Sequence, residues 1–248
     1  NLLYLFNLLK KIKKYNFIKV YDLQNSSRTS FYKKYLFNIK NWSSTETTLK
    51  KGTKKKDFDK DPVLDRFKFQ LDNSEVKTKF SLTPDFSWAI SNVDDITNKY
   101  FSKNFILIFP FCSSALPHKK WPFYNELINI LKSKNKKFEV AISPATNEIN
   151  EAQNINATII LNNKKALNIM ELTGLIKKSA FVIANDTGPA HIASHLNKEG
   201  VVLFGPHTSP QKVSIETKNF KAISSENLNK LTAEEVYLQI KEKLELIN

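Results

Sequence analysis

The chain has 248 residues, 41% hydrophobic and 25% charged, the balance of a soluble globular protein with one large domain or two smaller ones. Its single cysteine, Cys112, excludes an intrachain disulfide and fits a reducing compartment. No apolar run approaches the roughly 20 residues of a spanning helix, and the net charge of +14 is almost wholly lysine, Arg28 and Arg66 being the only arginines. Arginine makes the planar forks that grip bases and phosphates, so this composition argues against a nucleic-acid partner. Diffuse lysine charge suits an anionic membrane face or a phosphorylated acceptor. The apolar start, Asn1 to Leu9, runs into lysines rather than a small-residue cleavage site, so it does not read as a signal peptide. The first residue is not Met, and the chain is expected to begin inside a longer protein.

Along the first hundred residues the pattern predicts an amphipathic helix over Asn1 to Lys14 and a strand over Phe17 to Leu23. A helix around Tyr32 and a strand near Phe37 follow. Lys50 to Lys60 reads as a charged loop and Val63 to Leu71 as a helix. These pieces resemble an α/β domain that lacks its opening strand.

From Phe105 onward, strands and helices alternate. Phe105 to Phe109 is a continuous apolar run, as expected for a parallel strand covered on both faces. A loop from Pro110 to Lys120 leads into a helix with Phe123, Leu127, Ile130 and Leu131 on one side. Phe138 to Ile142 is the second strand, and a short helical segment begins near Thr146. Thr158 to Leu161 is the third strand, and Leu167 to Lys177 a helix. Phe181 to Ala184, Val201 to Phe204 and Lys221 to Ser224 supply three more strands. Thr232 with Glu235 forms a capping box for a closing helix that ends at Leu246. Such alternation means βαβ units in a doubly wound sheet. With strand order 3-2-1-4-5, the sheet reverses between its first and fourth strands, and ligands bind outside the carboxyl ends there. The expected division is a partial domain over 1–98, a nucleotide-binding domain over 99–228 and a closing helix over 229–248.

Two loops meet at that reversal, Pro110 to Lys120 and Asp186 to His191. The second lies in Ala184-Asn185-Asp186-Thr187-Gly188-Pro189-Ala190-His191-Ile192-Ala193. Pro189 suits the first helical position and Thr187 or Gly188 the cap. The free N–H groups and the dipole of that helix end make a seat for a phosphate. Asp186 is either an acceptor for a sugar or ribose hydroxyl or a cap for the helix. His191 is placed to donate to a phosphate or hydroxyl. Lys119 or Lys120 is placed to reach a diphosphate as a point charge, or is simply solvated. Ser113 and Ser114 can donate to phosphate oxygens or only shape the turn. His191 and His195 have the spacing of a two-histidine metal face, but no acid follows His191 and no third ligand is evident, so no metal is expected. Cys112 has no histidine spaced as its base and reads as a small buried residue. No glycine-rich phosphate loop occurs, which argues against dehydrogenases and P-loop ATPases.

At these residues the chain resembles glycosyltransferase family nine, the heptosyltransferases, which have the two-domain GT-B architecture. The family signature stands here as Asn185-Asp186-Thr187-Gly188-Pro189-Ala190-His191-Ile192-Ala193, followed by Phe204-Gly205-Pro206-His207-Thr208. Lys119-Lys120-Trp121-Pro122 matches its Lys-x-Trp-Pro element, and Asp22-Leu23-Gln24 with Arg28 and Asp65-Arg66 are weaker echoes. The resemblance implies a GT-B fold of two Rossmann-like domains, the N-terminal one incomplete. It implies inverting transfer of a heptose from ADP-heptose to the lipopolysaccharide inner core, with no cofactor and no metal. The protein would be cytoplasmic and peripheral on the inner membrane face. Asp186, Thr187, Gly188 and His191 would hold the donor's sugar and diphosphate, with Ser113 or Ser114 assisting. Lys119 would offset charge on the leaving diphosphate. Arg28 would lie on the acceptor side, and Glu148 would contact the ribose, although Ser143-Pro144 replaces the family's Gly-Gly there.

The family's general base is an aspartate in a Gly-Asp turn after the first strand, and no such turn occurs in this chain. Inverting transfer needs a base within reach of the acceptor hydroxyl, so the expectation is a donor site without its base. Two alternatives stay open: a GT-B transferase of another nucleotide sugar, and a non-catalytic module for nucleotide or membrane-surface binding.

Overall fold

The computed structural model describes residues 2–12, 14–15, 17–36, 39–79 and 82–247. The chain separates into two compact units, Asn1–Thr83 and Pro84–Asn248.

In the first unit α1 (Leu2–Ile12) precedes β1 (Val20–Tyr21) and α2 (Ser27–Phe31), which runs into a π-helical turn over Tyr32–Leu36. β2 (Trp42–Ser43), α3 (Thr45–Thr48), α4 (Lys55–Phe58) and α5 (Val63–Asp72) complete it. β1 and β2 pair in parallel, Val20 opposite Trp42 and Tyr21 opposite Ser43. A ladder that short needs outside support, and buried Gln70 of α5 provides it. Its Nε2 donates to the carbonyls of Asp22 at 3.0 Å and Ser43 at 3.1 Å.

Several expectations for this unit need correction. The strand expected over Phe17 to Leu23 is only Val20–Tyr21. The one expected near Phe37 falls on a residue outside the described set, and the strand that pairs is Trp42–Ser43. The charged stretch Lys50 to Lys60 is not all loop. Lys55 bonds Asp59 at 2.7 Å, and Phe58 packs on Phe69 with ring centroids 5.2 Å apart, which together fix α4. Helix α1 ends at Ile12, and Asn1 and Lys13 lie outside the described residues.

The second unit opens with a 3₁₀ turn at Ser87–Ala89 and α6 (Asp94–Tyr100). Both belong here by hydrogen bonding. The Ser91 N–H donates to the Met170 carbonyl at 3.3 Å, and the Tyr100 hydroxyl donates to that of Leu161 at 2.9 Å. The observed division therefore falls after Thr83, whereas the sequence suggested Asn98.

Next come β3 (Phe105–Phe109), α7 (Tyr124–Lys134), β4 (Glu139–Ile142), α8 (Ile149–Ala152) and β5 (Thr158–Ile159). α9 (Ile169–Lys178), β6 (Phe181–Asn185), α10 (Gly188–His195), β7 (Gly200–Phe204), β8 (Phe220–Ser224) and α11 (Ala233–Leu246) follow. The strands form one parallel sheet in the order β5-β4-β3-β6-β7-β8, the doubly wound arrangement. Alternation along β3 divides the core. Ile106 and Ile108 pack with Leu127 and Leu131 of α7 and Ile240 and Leu244 of α11. Leu107 and Phe109 pack with Leu175 and Ile176 of α9 and Ala190 and Ala193 of α10. Every residue of β3, β6 and β7 is buried, which accounts for their uninterrupted apolar runs.

At Gly200 the chain leaves no room for a side chain. A Cβ there would lie 2.5 Å from the Val182 carbonyl oxygen and 2.7 Å from the Phe220 ring. Gly200→Ala is expected to lower the unfolding free energy by about 1–3 kcal/mol through overpacking, measured by urea denaturation. An unchanged midpoint would show that the β7–β8 contact yields freely.

Candidate functional site

β6 ends in Asn185, which is fully buried, and Asp186 follows it. A buried amide must place both donors and its acceptor. Asn185 Oδ1 accepts from the Trp121 backbone N–H at 3.2 Å and from the Tyr124 hydroxyl at 3.0 Å. Its Nδ2 donates to the Pro110 carbonyl at 2.9 Å. One side chain thus ties the end of β3 and the start of α7 to the tip of β6. Trp121 is buried beside it, and its Nε1 donates to the Leu231 carbonyl at 2.7 Å. The 3₁₀ turn Pro117–Lys119 stands just before this anchor.

Lys119 therefore points across the reversal. Its Nζ lies 2.6 Å from Asp186 Oδ2, and His207 Nε2 lies 3.0 Å from the same oxygen. His191 Nε2 approaches Oδ1 at 3.5 Å. The Asp186 side chain is only 4% exposed. Burial raises its pKa, but the contacts from His191, Lys119 and His207 outweigh burial and hold the carboxyl well below the usual carboxylate range.

The N-terminus of α10 faces a cleft of about 410 Å³, the size of a small-ligand site. Ser113, Ser143, Glu148, Leu172, Thr187 and Gly188 are among its lining residues. Gly188 is the first residue of α10 and Pro189 the second, one place later than the sequence suggested. Thr187 holds the cap position but not by its side chain, whose hydroxyl donates to the Asn185 carbonyl at 3.3 Å.

Other residues singled out by sequence fall in different places. Ser113 lines the cleft, while Ser114 is exposed and does not. The Glu148 carboxylate accepts from the Ala145 N–H at 2.8 Å, and burial raises its pKa, with neighbouring Glu151 adding to the effect. Lys120 pairs with Glu151, away from Asp186. Cys112 lines the cleft, but burial raises its thiol pKa, the opposite of an activated nucleophile. The His195 ring stacks on Phe86, centroids 5.8 Å apart, and burial lowers its pKa. Among the described residues no group of three or more His, Cys, Asp or Glu is arranged to hold a metal ion. Arg28 sits exposed on α2 in the first unit.

Sequence reasoning quoted His207 in the Phe204–Thr208 segment without giving it a role, and it missed the structural role of Asn185. His207 is 11% exposed, stacks on Phe204 with centroids 6.1 Å apart and meets His118 edge-on at 5.2 Å. It stands in the loop after β7, a position that strand order makes adjacent to Asp186. That adjacency was the available signal.

A doubly wound parallel sheet with polar loops at its reversal, in a chain that also carries a smaller α/β unit, fits the GT-B glycosyltransferases. The match is specific: the model of glycosyltransferase family 9 (heptosyltransferase) spans residues 5–241, and the chain belongs to that family. Among solved structures, the E. coli heptosyltransferase WaaC with ADP is 15% identical, with a TM-score of 0.65 over 97% of this chain and 77% of that one. The family 9 glycosyltransferase from Veillonella parvula is 12% identical, with a TM-score of 0.68 and the same shares of 97% and 77%. E. coli ADP-heptose lps heptosyltransferase II is 19% identical at a TM-score of 0.55 over 73% of this chain, which spans 61% of that protein's length. At these identities the likeness concerns the fold. No curated protein is significantly similar to the chain in sequence.

Because the folded-state pKa of Asp186 is depressed, its ionisation stabilises the fold above the unfolded carboxyl value of about 3.9, and that contribution fades as pH falls below it. Asp186→Asn is expected to cost about 3 kcal/mol near neutral pH, through the Lys119 ammonium left without its partner. The gap from the parent should narrow progressively in acid. A gap that stays constant through the acid range would sink the assignment of Asp186 as a stabilised anion.

Proposed function

We propose that the second unit holds the donor of an inverting heptosyl transfer, ADP-heptose, for delivery to the lipopolysaccharide inner core. The observation that carries this is the buried Asp186 carboxylate, ringed by Lys119, His191 and His207, beside a cleft at the N-terminus of α10. In that arrangement the diphosphate takes the helix N-terminus, with Thr187 and Gly188 beneath it and Lys119 as its counter-charge. Asp186 and His191 orient the sugar, Ser113, which lines the cleft, assists at the phosphates, and Glu148 lies on the ribose side. Support also comes from the solved relatives, since WaaC binds ADP in one structure and ADP-2-deoxy-2-fluoro heptose in another.

Chemically, the acceptor hydroxyl attacks the anomeric carbon as the bond from that carbon to the diphosphate breaks. The leaving ADP keeps the electron pair, and Lys119 offsets the charge as it develops. The acceptor proton goes to a base. No residue of this chain is assigned that role, so this chain alone is expected to bind donor nucleotide without turning it over, with Arg28 on the acceptor side.

Calorimetric titration with ADP, UDP and GDP tests the donor assignment. ADP is expected to bind selectively, and Lys119→Ala to weaken it by roughly tenfold, the loss of one charge-assisted contact. Preference for UDP or GDP would favour another nucleotide sugar. Failure of all three to bind a folded chain would refute the donor site.

A lipid-linked acceptor also calls for work at a membrane surface, here the inner face of the cytoplasmic membrane. Among the described residues no helix is long and apolar enough to cross a membrane. α1 exposes Tyr4 and Phe6, at 63% and 66%, and ends in Lys10 and Lys11, a composition suited to an anionic surface. The chain is expected to co-sediment with anionic but not zwitterionic phospholipid vesicles, and Tyr4→Glu with Phe6→Glu to abolish this. Equal sedimentation by the double variant would reject α1 as the contact.

A further inference from the structure

We propose that His207 is a positioning residue that shares the Asp186 carboxylate with Lys119, leaving Lys119 available to a diphosphate. This rests on the donor-site assignment above and extends it to a residue to which the family resemblance assigned no role.

The geometry is one of two donors on one oxygen. Lys119 Nζ at 2.6 Å and His207 Nε2 at 3.0 Å both address Asp186 Oδ2, whereas His191 addresses Oδ1 from 3.5 Å. Asp186 is buried, and a buried carboxylate stripped of donors is costly. If Lys119 were its only donor on that side, moving the ammonium to a phosphate would leave Oδ2 bare beside a second anion. With His207 in place, Oδ2 keeps a hydrogen bond when Lys119 turns away.

The rest of His207 fits that task. Its Nδ1 is buried with no hydrogen-bond partner among the described residues, so the bond to Asp186 is the ring's one polar attachment. Stacking on Phe204 and the edge contact with His118 fix the ring plane. His207 is not a catalytic residue in this scheme. It acts on the donor only through Asp186 and Lys119.

Two double-mutant cycles test the sharing. In the free chain, urea unfolding of the parent, Lys119→Ala, Asp186→Asn and the double variant gives the Lys119–Asp186 coupling. That coupling is expected to rise when the cycle is repeated on His207→Leu, because Lys119 then serves Oδ2 alone. It should return toward the parent value on His207→Gln, whose amide N–H reaches the same oxygen. Equal coupling in all three backgrounds overturns the proposal.

The second cycle reads nucleotide. His207→Leu is expected to weaken ADP by about tenfold while leaving AMP within about twofold, and His207→Gln to restore most of the loss. Lys119→Ala should then cost less in the His207→Leu background than in the parent. Equal losses for ADP and AMP, or additive losses for the two residues, overturn the proposal. Sharing in the free chain without any ADP binding would uphold His207 as Asp186's second donor and defeat the donor-site assignment instead.

Discussion

The candidate site depends first on a neutral side chain. Asn185 sits at the tip of the central strand β6 with its amide fully buried, and each of its polar atoms is committed to a different piece of chain. Loops at a sheet reversal are otherwise joined only through the strands they leave. Here the end of β3, the start of α7 and the end of β6 are hydrogen-bonded to one another through a single amide. A carboxylate at this position would accept but not donate, leaving the Pro110 carbonyl without its N–H. That requirement explains why the residue before the charged one is an amide. The flanking Tyr124 hydroxyl adds to the fixation, and burial raises its pKa well above the ordinary phenol value, so it remains a donor.

On that frame the electrostatics are simple to state. One buried anion is surrounded by one lysine and two histidines, from the loop before α7, the first turn of α10 and the loop after β7. Three chain segments far apart in sequence converge because β3, β6 and β7 are neighbours in the sheet. The N-terminus of α10, which begins two residues after Asp186, adds its own positive potential to the cleft that it faces. A lysine ammonium and a helix N-terminus at one sheet reversal are what a multiply charged phosphate ligand complements, and a neutral sugar by itself would not require them.

Much of this was legible in the sequence. Strands β3, β6 and β7 are uninterrupted apolar runs because both faces are covered, and the strand order followed from the alternation of elements. Asp186, Lys119 and His191 were found from the loops at the reversal, and the structure brings all three together. The first unit was less readable for a physical reason. Its strands are two residues long and carry no periodicity, and their support comes from hydrogen bonds of Gln70, 27 and 48 positions from its partners. Short helices such as α4 are held by a few side-chain contacts, Lys55 on Asp59 and Phe58 on Phe69, inside a stretch whose composition reads as loop. His207 stood in the Phe204–Thr208 segment without a role because nothing local assigns it one. Its meaning comes only from β7 lying next to β6.

Trp121 carries a consequence of another kind. Its indole N–H reaches across 110 positions of sequence to the Leu231 carbonyl, at the foot of α11, and its ring lies in the same apolar cluster as Val236 and Ile240. Lys119, two residues upstream, thus takes its bearing from the last helix of the chain. The terminal segment, remote from any chemistry, works as a buttress for the cationic loop. Trimming it, or fusing a bulky tag that levers α11 away, would be felt as a misaimed ammonium at the sheet reversal before it was felt as an unfolded protein.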